Sequence, residues 1–322
     1  MLTIVRRFIL IPIILLVANF LGFAYAHVGL FAQALAHPYG GRPEFPNVIQ
    51  LYSEYVRGWQ SLDFGPYPIG VEVTVLAAVL EAAGKSLGLL FIAAALSMAA
   101  GLTLGFLSVR INPPSLAPWL TPLTSFGLAV PSFYLGTLAL ALSAWLILRG
   151  IENFPLPMGG FGWDAHLILP VLALMLRPTL QIAQVTSNLI LDEVRKQYIV
   201  TARSVGNTWR RIRWRHVLRN ALAAIVLTLA GAFRLTLGEM VLVEWLFNWP
   251  GLGRMLVMTL LAPRVAAFGG GFQEAGQFFL NPPLLAALVT CFALFFAISE
   301  AVSTSVARSA DPRLRTPDAD LK

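Results

Sequence analysis

Few side chains in this sequence have the type and spacing to do chemistry. The stretch AAGKS at 82–86 ends like a phosphate-binding loop, in which backbone N–H groups cradle phosphates and a lysine reaches them. That motif needs a glycine five positions before Gly84, where Val79 stands, and it should follow a strand rather than lead into an apolar run. Nucleotide chemistry therefore has to come from another protein. The four histidines, His27, His37, His166 and His216, are scattered with no pair at helix-ligand spacing, and Cys291 is the single cysteine. A disulfide framework or cysteine-based metal site within the chain is excluded, and no metal is expected. No residue stands out as catalytic. More telling are four ionisable residues inside apolar runs, Arg177, Arg234, Glu239 and Glu300, because an unpaired charge in hydrocarbon is costly. They either line a wet path or pair between helices or subunits. Glu239 follows Arg234 by five positions, a poor register for a pair on one helix. Glu244 lies near the end of the same run.

The greatest concentration of charge is EVRKQYIVTARSVGNTWRRIRWRHVLRNAL, residues 193–222, set between two apolar runs. It holds eight basic residues and, with Asp192 and Glu193, carries +6 of the chain's net +7. The pattern predicts a helical piece through DEVRKQYIVTARSV, a left-handed stop at Gly206–Asn207, and a second helix from about 208. On that second helix Trp214, Val217, Leu218 and Ala221 form an apolar face beside a basic stripe of Arg211, Arg215 and Arg219. Attraction to anionic lipid, on the order of 1 kcal/mol per charge, accounts for the arginines and tryptophan of the second piece. It accounts neither for the small pair Thr201–Ala202 nor for the glycine break. Small residues let a short helix lie in the groove of another protein.

The elements that must position these residues are membrane spans. Hydrophobic residues make up 57% of the chain and charged ones only 12%, with a mean hydropathy of +0.73; a soluble domain carries roughly twice that charge fraction. A span needs roughly 20 apolar residues, and six segments qualify, near 8–26, 87–109, 124–148, 166–190, 222–247 and 284–307. The first follows Arg6 and Arg7 and reads as a retained anchor rather than a cleaved signal. With the N-terminus in the cytoplasm, 15 basic residues fall on the inside and 6 on the outside, which places both termini and the insert in the cytoplasm. The same rule explains the pI of about 10.0 without nucleic acid. The map is then a cytoplasmic start and first span at 1–26, an outside loop at 27–86, and a five-helix core at 87–307. That core carries the inside insert at 191–221 and an outside segment at 248–283; the cytoplasmic tail is 308–322. MLVMTLLA (255–262) is too short to cross and predicts a surface-lying or re-entrant helix. Pro12, Pro131, Pro170 and Pro178 are candidate kinks.

Three passages resemble the permease subunits of ABC importers, most nearly those of the peptide/nickel importer family. YIVTARSVGNTWRRIRWRHVLRNAL resembles that family's cytoplasmic EAA-type loop, EWLFNWPGLGRMLV (244–257) its E..F.WPGLG element, and ADPRLR (310–315) its C-terminal DPR. AVPSFYLG (129–136) and HLILPVLAL (166–174) are similar to its third and fourth spans. The chain departs from the pattern at Ala223, at Lys85–Ser86 where Thr-Leu is usual, in SLDFGPYP, and over residues 262–280.

The resemblance implies an all-α polytopic fold of about six transmembrane helices, the type I ABC importer permease fold, in a bacterial inner membrane. It implies an ATPase-coupling loop carried by Tyr198, Thr201, Ala202, Arg203, Gly206, His216, Arg219 and Asn220, and it gives Glu244 to the WPG element. It implies a second permease subunit, similar or identical, two cytoplasmic ATPase subunits that bind ATP and Mg, and an extracytoplasmic substrate-binding protein, with membrane lipid around the spans. The chain itself would then hold no cofactor and perform no covalent chemistry. The cargo stays open among peptides, nickel complexes, glutathione-like compounds and oligosaccharides. The alternatives are an ion-gradient transporter, which leaves the insert unexplained, and a non-transporting membrane scaffold whose basic loop binds lipid or recruits a soluble protein.

Overall fold

The computed structural model describes residues 2–36, 44–61, 63–65, 67–68, 73–111, 113–150, 156–261 and 278–310. The ADPRLR tail motif and most of the unusual 262–280 segment lie outside the described residues. The helices are α1 (Leu2–Leu35), α2 (Val48–Gly58), α3 (Val75–Leu107), α4 (Leu120–Ala129), α5 (Ser132–Leu148), α6 (Ile168–Val194), α7 (Gln197–Ser204), α8 (Trp209–Arg211), α9 (Leu218–Leu246), α10 (Leu252–Leu260) and α11 (Pro282–Ala310). Between α3 and α4 an antiparallel hairpin pairs β1 (Val109–Ile111) with β2 (Pro114–Leu116). Among the described residues five helices are long and apolar enough to cross a membrane, and the bent pair α4–α5 supplies a sixth.

The helices differ from the expected spans in ways that have physical causes. The third span, expected as one helix, bends by 90° between α4 and α5. Pro131 lacks an N–H and its ring excludes the helical conformation from the residue before it; Val130 is accordingly extended, at φ −94 and ψ 121. Pro12 and Pro178 do not interrupt α1 and α6. Pro170 sits in the first turn of α6, where an absent donor costs nothing. The segment between the first two long helices is shorter than the expected 27–86, because α1 continues to Leu35 and α3 begins at Val75. AAGKS lies inside α3, with Lys85 paired to Glu81 one turn earlier at 2.6 Å, so no phosphate loop exists there. At nine residues, α10 is about 14 Å long and cannot cross.

The chain forms two compact units. One comprises Met1–Gly88, Gly159–Trp163 and Val241–Ala297, the other Leu89–Met158, Asp164–Met240 and Ile298–Lys322. In the first, α1 lies against α11. A Cβ at Gly22 would come within 3.0 Å of the Ala286 Cα and the Leu285 carbonyl, and Asn19 donates to Thr290 Oγ1 at 3.0 Å. The amphipathic α2 rests on α1 through Tyr52, whose hydroxyl donates to Asn19 Oδ1 and whose ring meets Phe20 and Phe23 edge-on.

In the second unit α6 is the centre; its most apolar stretch is 56% buried, against 22–33% for the other four long helices. Lipid is as apolar as leucine, so close packing rather than the hydrophobic effect holds such helices together, and small residues permit it. Gly101 and Gly105 on α3, four apart on one face, let α6 approach. A Cβ at Gly101 would stand 2.7 Å from the Ile182 Cβ, and one at Gly105 would stand 2.8 Å from the Thr186 Cβ. Gly105→Val should therefore cost about 1–3 kcal/mol by overpacking and lower the melting temperature of the purified chain in detergent. Gly84→Ala, where an added Cβ meets nothing within 4 Å, should leave it unchanged or slightly raised.

Candidate functional site

The insert begins where α6 ends. Lys196 is extended and turns the chain into α7, which stops at Gly206. The stop is a complete Schellman motif. Gly206 takes φ +87, its N–H donates to the Arg203 carbonyl, and the Asn207 N–H donates to the Ala202 carbonyl. Asn207 adds its side-chain amide to the same carbonyl at 3.0 Å. The glycine break expected from sequence is thus a defined cap, and it needs a left-handed residue.

Beyond it the second piece is not a separate α-helix. Trp209–Leu246 forms one helical run with a π-helical stretch at Ile212–Val217. The cause lies in the core beneath. Ile212 and Val217 both enter one buried cluster with Val109, Ile190, Leu191, Val194 and Ile199. Residues five apart on an α-helix point about 140° away from each other, whereas i→i+5 pairing brings them onto one face. The extra residue corrects the expected apolar face. Val217 and Ala221 are buried, but Trp214 is largely exposed and only stacks on Phe106, with ring centroids 5.9 Å apart. Arg211, Arg215 and Arg219 are exposed.

One carboxylate ties the insert together. Glu193, in the last turn of α6, has its side chain 8% exposed. It accepts from Tyr198 Oη at 2.5 Å, from Asn220 Nδ2 at 3.0 Å and from Lys196 Nζ. Asn220 Nδ2 also lies 3.0 Å from the Tyr198 oxygen. Three segments therefore meet on one anion: the end of α6, α7 and the start of α9. Hydrogen bonds to a charged group are worth about 1.5–3 kcal/mol each, and the half-exposed lysine contributes less. Partial burial, followed by the bond to Glu193, pushes the Tyr198 phenol up to about 12, so it stays a donor at any physiological pH.

Of the residues expected at the coupling loop, Tyr198 and Asn220 are brought together on Glu193, and Gly206 forms the cap. Ala202 packs inward against the apolar cluster. Thr201 is exposed and bonds only to the Gln197 carbonyl. Arg203 lies over the Trp209 ring at 4.3 Å. His216 is half-buried and Arg219 exposed, and neither joins the group. Sequence reasoning missed Glu193 itself, although it opens the quoted insert; its signal is a lone acid followed five residues later by tyrosine in an otherwise basic stretch. Val200 on α7 and Val205 just past its end are 57% and 77% exposed.

A second carboxylate organises the WPG element. Glu244 is fully buried near the end of α9, and its Oε2 accepts the N–H of Gly253 at 2.6 Å and of Arg254 at 3.4 Å. Ser86 Oγ accepts the Leu252 N–H at 2.8 Å. The first three N–H groups of α10, which no helical carbonyl can reach, are thereby all taken. A Cβ on Gly251 would collide with the Glu244 carboxylate, and one on Gly253 would stand 2.5 Å from the Val241 Cα. Trp249 is buried, donates Nε1 to the Lys85 carbonyl at 3.3 Å, and sits edge-on to Phe161 and Trp163. Of the departure Lys85–Ser86, the serine hydroxyl supplies this corner with an acceptor that leucine could not. Glu244 is a helix cap here.

The remaining intramembrane charges pair between helices. Arg177 Nη1 donates to Glu239 Oε1 at 2.5 Å, linking α6 to α9. Arg234 pairs with Glu300, linking α9 to α11.

Residues 97–316 match the family model described as binding-protein-dependent transport system inner membrane component. The chain is similar to the oligopeptide transport system permease protein AppB of Bacillus subtilis (strain 168), 26% identical over 84% of this chain and 81% of that protein. A putative peptide transport system permease protein of Brucella abortus (strain 2308) is 30% identical over 73% of this chain and 75% of its own length. The glutathione transport system permease protein GsiC of Pectobacterium atrosepticum is 36% identical over 41% of each chain.

Tyr198→Phe removes one donor from a buried anion and should loosen α7 by about 1.5–3 kcal/mol. Trypsin cleavage at Arg195, Lys196 and Arg203 of the purified chain should then accelerate by about tenfold or more, since proteolysis follows the population of the opened segment. Thr201→Ala should leave the rate unchanged.

Proposed function

The chain belongs to the family of inner membrane components of binding-protein-dependent transport systems and is a membrane-embedded transport permease; we propose that it forms one half of the solute path of an ATP-driven importer of peptides or a similar small solute. The relatives whose names refer to peptide and glutathione transport support that cargo class. The single observation that carries the coupling role is the construction of α7. Its inner side is fixed to α6 and α9 through Glu193 and the apolar cluster, while Val200 and Val205 stay exposed. A short helix so held, with apolar side chains left uncovered along it and at its end, has the form of an element that another protein grips.

In this reading both termini and the insert face the cytoplasm, as the arginine distribution implies. Two ATPase subunits bind ATP and Mg. Each receives one such helix, from this chain and from a similar or identical permease, and a substrate-binding protein delivers cargo on the other side. No covalent step falls to this chain. When the ATPases close on nucleotide, α7 moves with its groove, and the bonds at Glu193 oblige α6 and α9 to move with it. The path then exchanges an inward for an outward opening. Nucleotide biases that exchange only through its different affinity for the two states.

Val205 is the better probe of this contact than Ala202, which faces the chain's own core. A cysteine at Val205 should cross-link to an ATPase subunit. Val205→Asp should insert and fold normally, since exposed positions tolerate change within about 0.5 kcal/mol. Its ATP-driven peptide uptake in vesicles should nevertheless drop by more than about tenfold, the cost of desolvating an unpaired carboxylate at an interface. Undiminished uptake by this variant would remove α7 from the coupling path.

A further inference from the structure

A cavity of about 680 Å³ opens in the second unit, lined by Arg177, Gln181 and Gln184 of α6, Gly231 and Arg234 of α9, and Leu128 of α4. The three α6 residues recur at i, i+4 and i+7, one face of that helix. A Cβ added at Gly231 would meet nothing within 4 Å, so the glycine keeps room there. The cluster of Arg177, Arg234, Glu239 and Glu300 is neutral as a set, and what distinguishes the cavity is which atoms reach it. Both arginines line it, and neither glutamate does.

Each guanidinium has five N–H donors, and each gives Nη1 to its glutamate. Arg177 Nε and Gln181 Oε1 have no protein partner but almost no accessible surface, so what reaches the cavity is the rest of each guanidinium, on side chains 32% and 39% exposed. The glutamates thus anchor the arginines without exhausting them. A carboxylate entering this space would meet two guanidinium groups with N–H donors beyond those given to the glutamates, beside the Gln181 and Gln184 side chains. An ammonium group would meet only the amide oxygens. Resting on the proposed importer function, we infer that this cavity is a way-station for a carboxylate-bearing cargo, such as the free C-terminus of a peptide.

The test uses the full chain purified in its native complex, with Cys291→Ser as background and Gln181→Cys as reporter. Relative to free thiol, an anionic methanethiosulfonate should react about tenfold faster than a cationic one, in line with the rate effects of local fields. Millimolar tri-alanine should slow labelling several-fold, and its C-terminal amide should not. Arg234→Gln should abolish both effects, and Arg234→Lys should restore most of the reagent ratio. Because Arg234→Gln leaves Glu300 unpaired in a span, the double variant Arg234→Gln/Glu300→Gln is measured beside it and should likewise abolish both effects. Equal reagent rates, equal protection by acid and amide, or effects that survive Arg234→Gln would overturn the site. A retained ratio with acid-selective protection, in a complex that does not hydrolyse ATP, would uphold the site and count against the proposed function instead.

Discussion

Hydrocarbon offers no hydrogen bonds, so every polar group carried into it has to be matched by a group of the protein itself. Most of what is unusual in this structure follows from that requirement. Within a helix the backbone matches itself; at the ends it cannot, and the ends are where this chain spends its conserving devices. The end of α9 is a Schellman cap on Asn248 at φ 52, with Trp249 N–H returning to the Glu244 carbonyl at 2.8 Å. The end of α7 uses the same geometry on Gly206. Where α10 starts with no side-chain cap of its own, a glutamate and a serine from other helices complete it.

Glu193 and Glu244 show how one residue type gives two outcomes. Both are buried near the end of a long helix. Glu244 is surrounded by backbone N–H groups, which are fixed by the fold of α10, so it acts as a static cap. Glu193 is surrounded by side-chain donors from separate segments, so it holds together pieces that could otherwise part. The first arrangement makes a corner rigid. The second makes a joint, whose strength is set by a tyrosine and an asparagine and whose failure would free α7 without unfolding the spans. The coupling role proposed for α7 requires the second kind.

The legible part of this molecule was the part written in local pattern. Apolar runs gave the spans, the glycine after Ser204 and Val205 gave the stop of α7, and MLVMTLLA was visibly too short to cross. What could not be read depends on partners distant in the chain. Arg177 finds Glu239 across 62 positions and Arg234 finds Glu300 across 66, and no helical register could reveal either. The π stretch at 212–217 was hidden for the same reason, since it answers to Val109 and Ile190 beneath it rather than to its own sequence. Pro131 was visible as a possible kink, but a 90° turn needed the extended Val130 as well.

The choice of arginine in the second unit follows from the same constraint as the caps. A lysine paired with a buried glutamate spends its charge at one point. A guanidinium spreads its charge over a planar fork, so it can satisfy a glutamate on one edge and still present donors on another. Arg177 does the first through Nη1, and its side chain, 32% exposed, still lines the cavity. A path that must attract a solute and then release it is better served by donors already half satisfied than by a bare cation, because a fully unpaired charge would bind an anion too tightly to let it go. In the proposed way-station the glutamates behind the arginines would set the affinity as much as the arginines do.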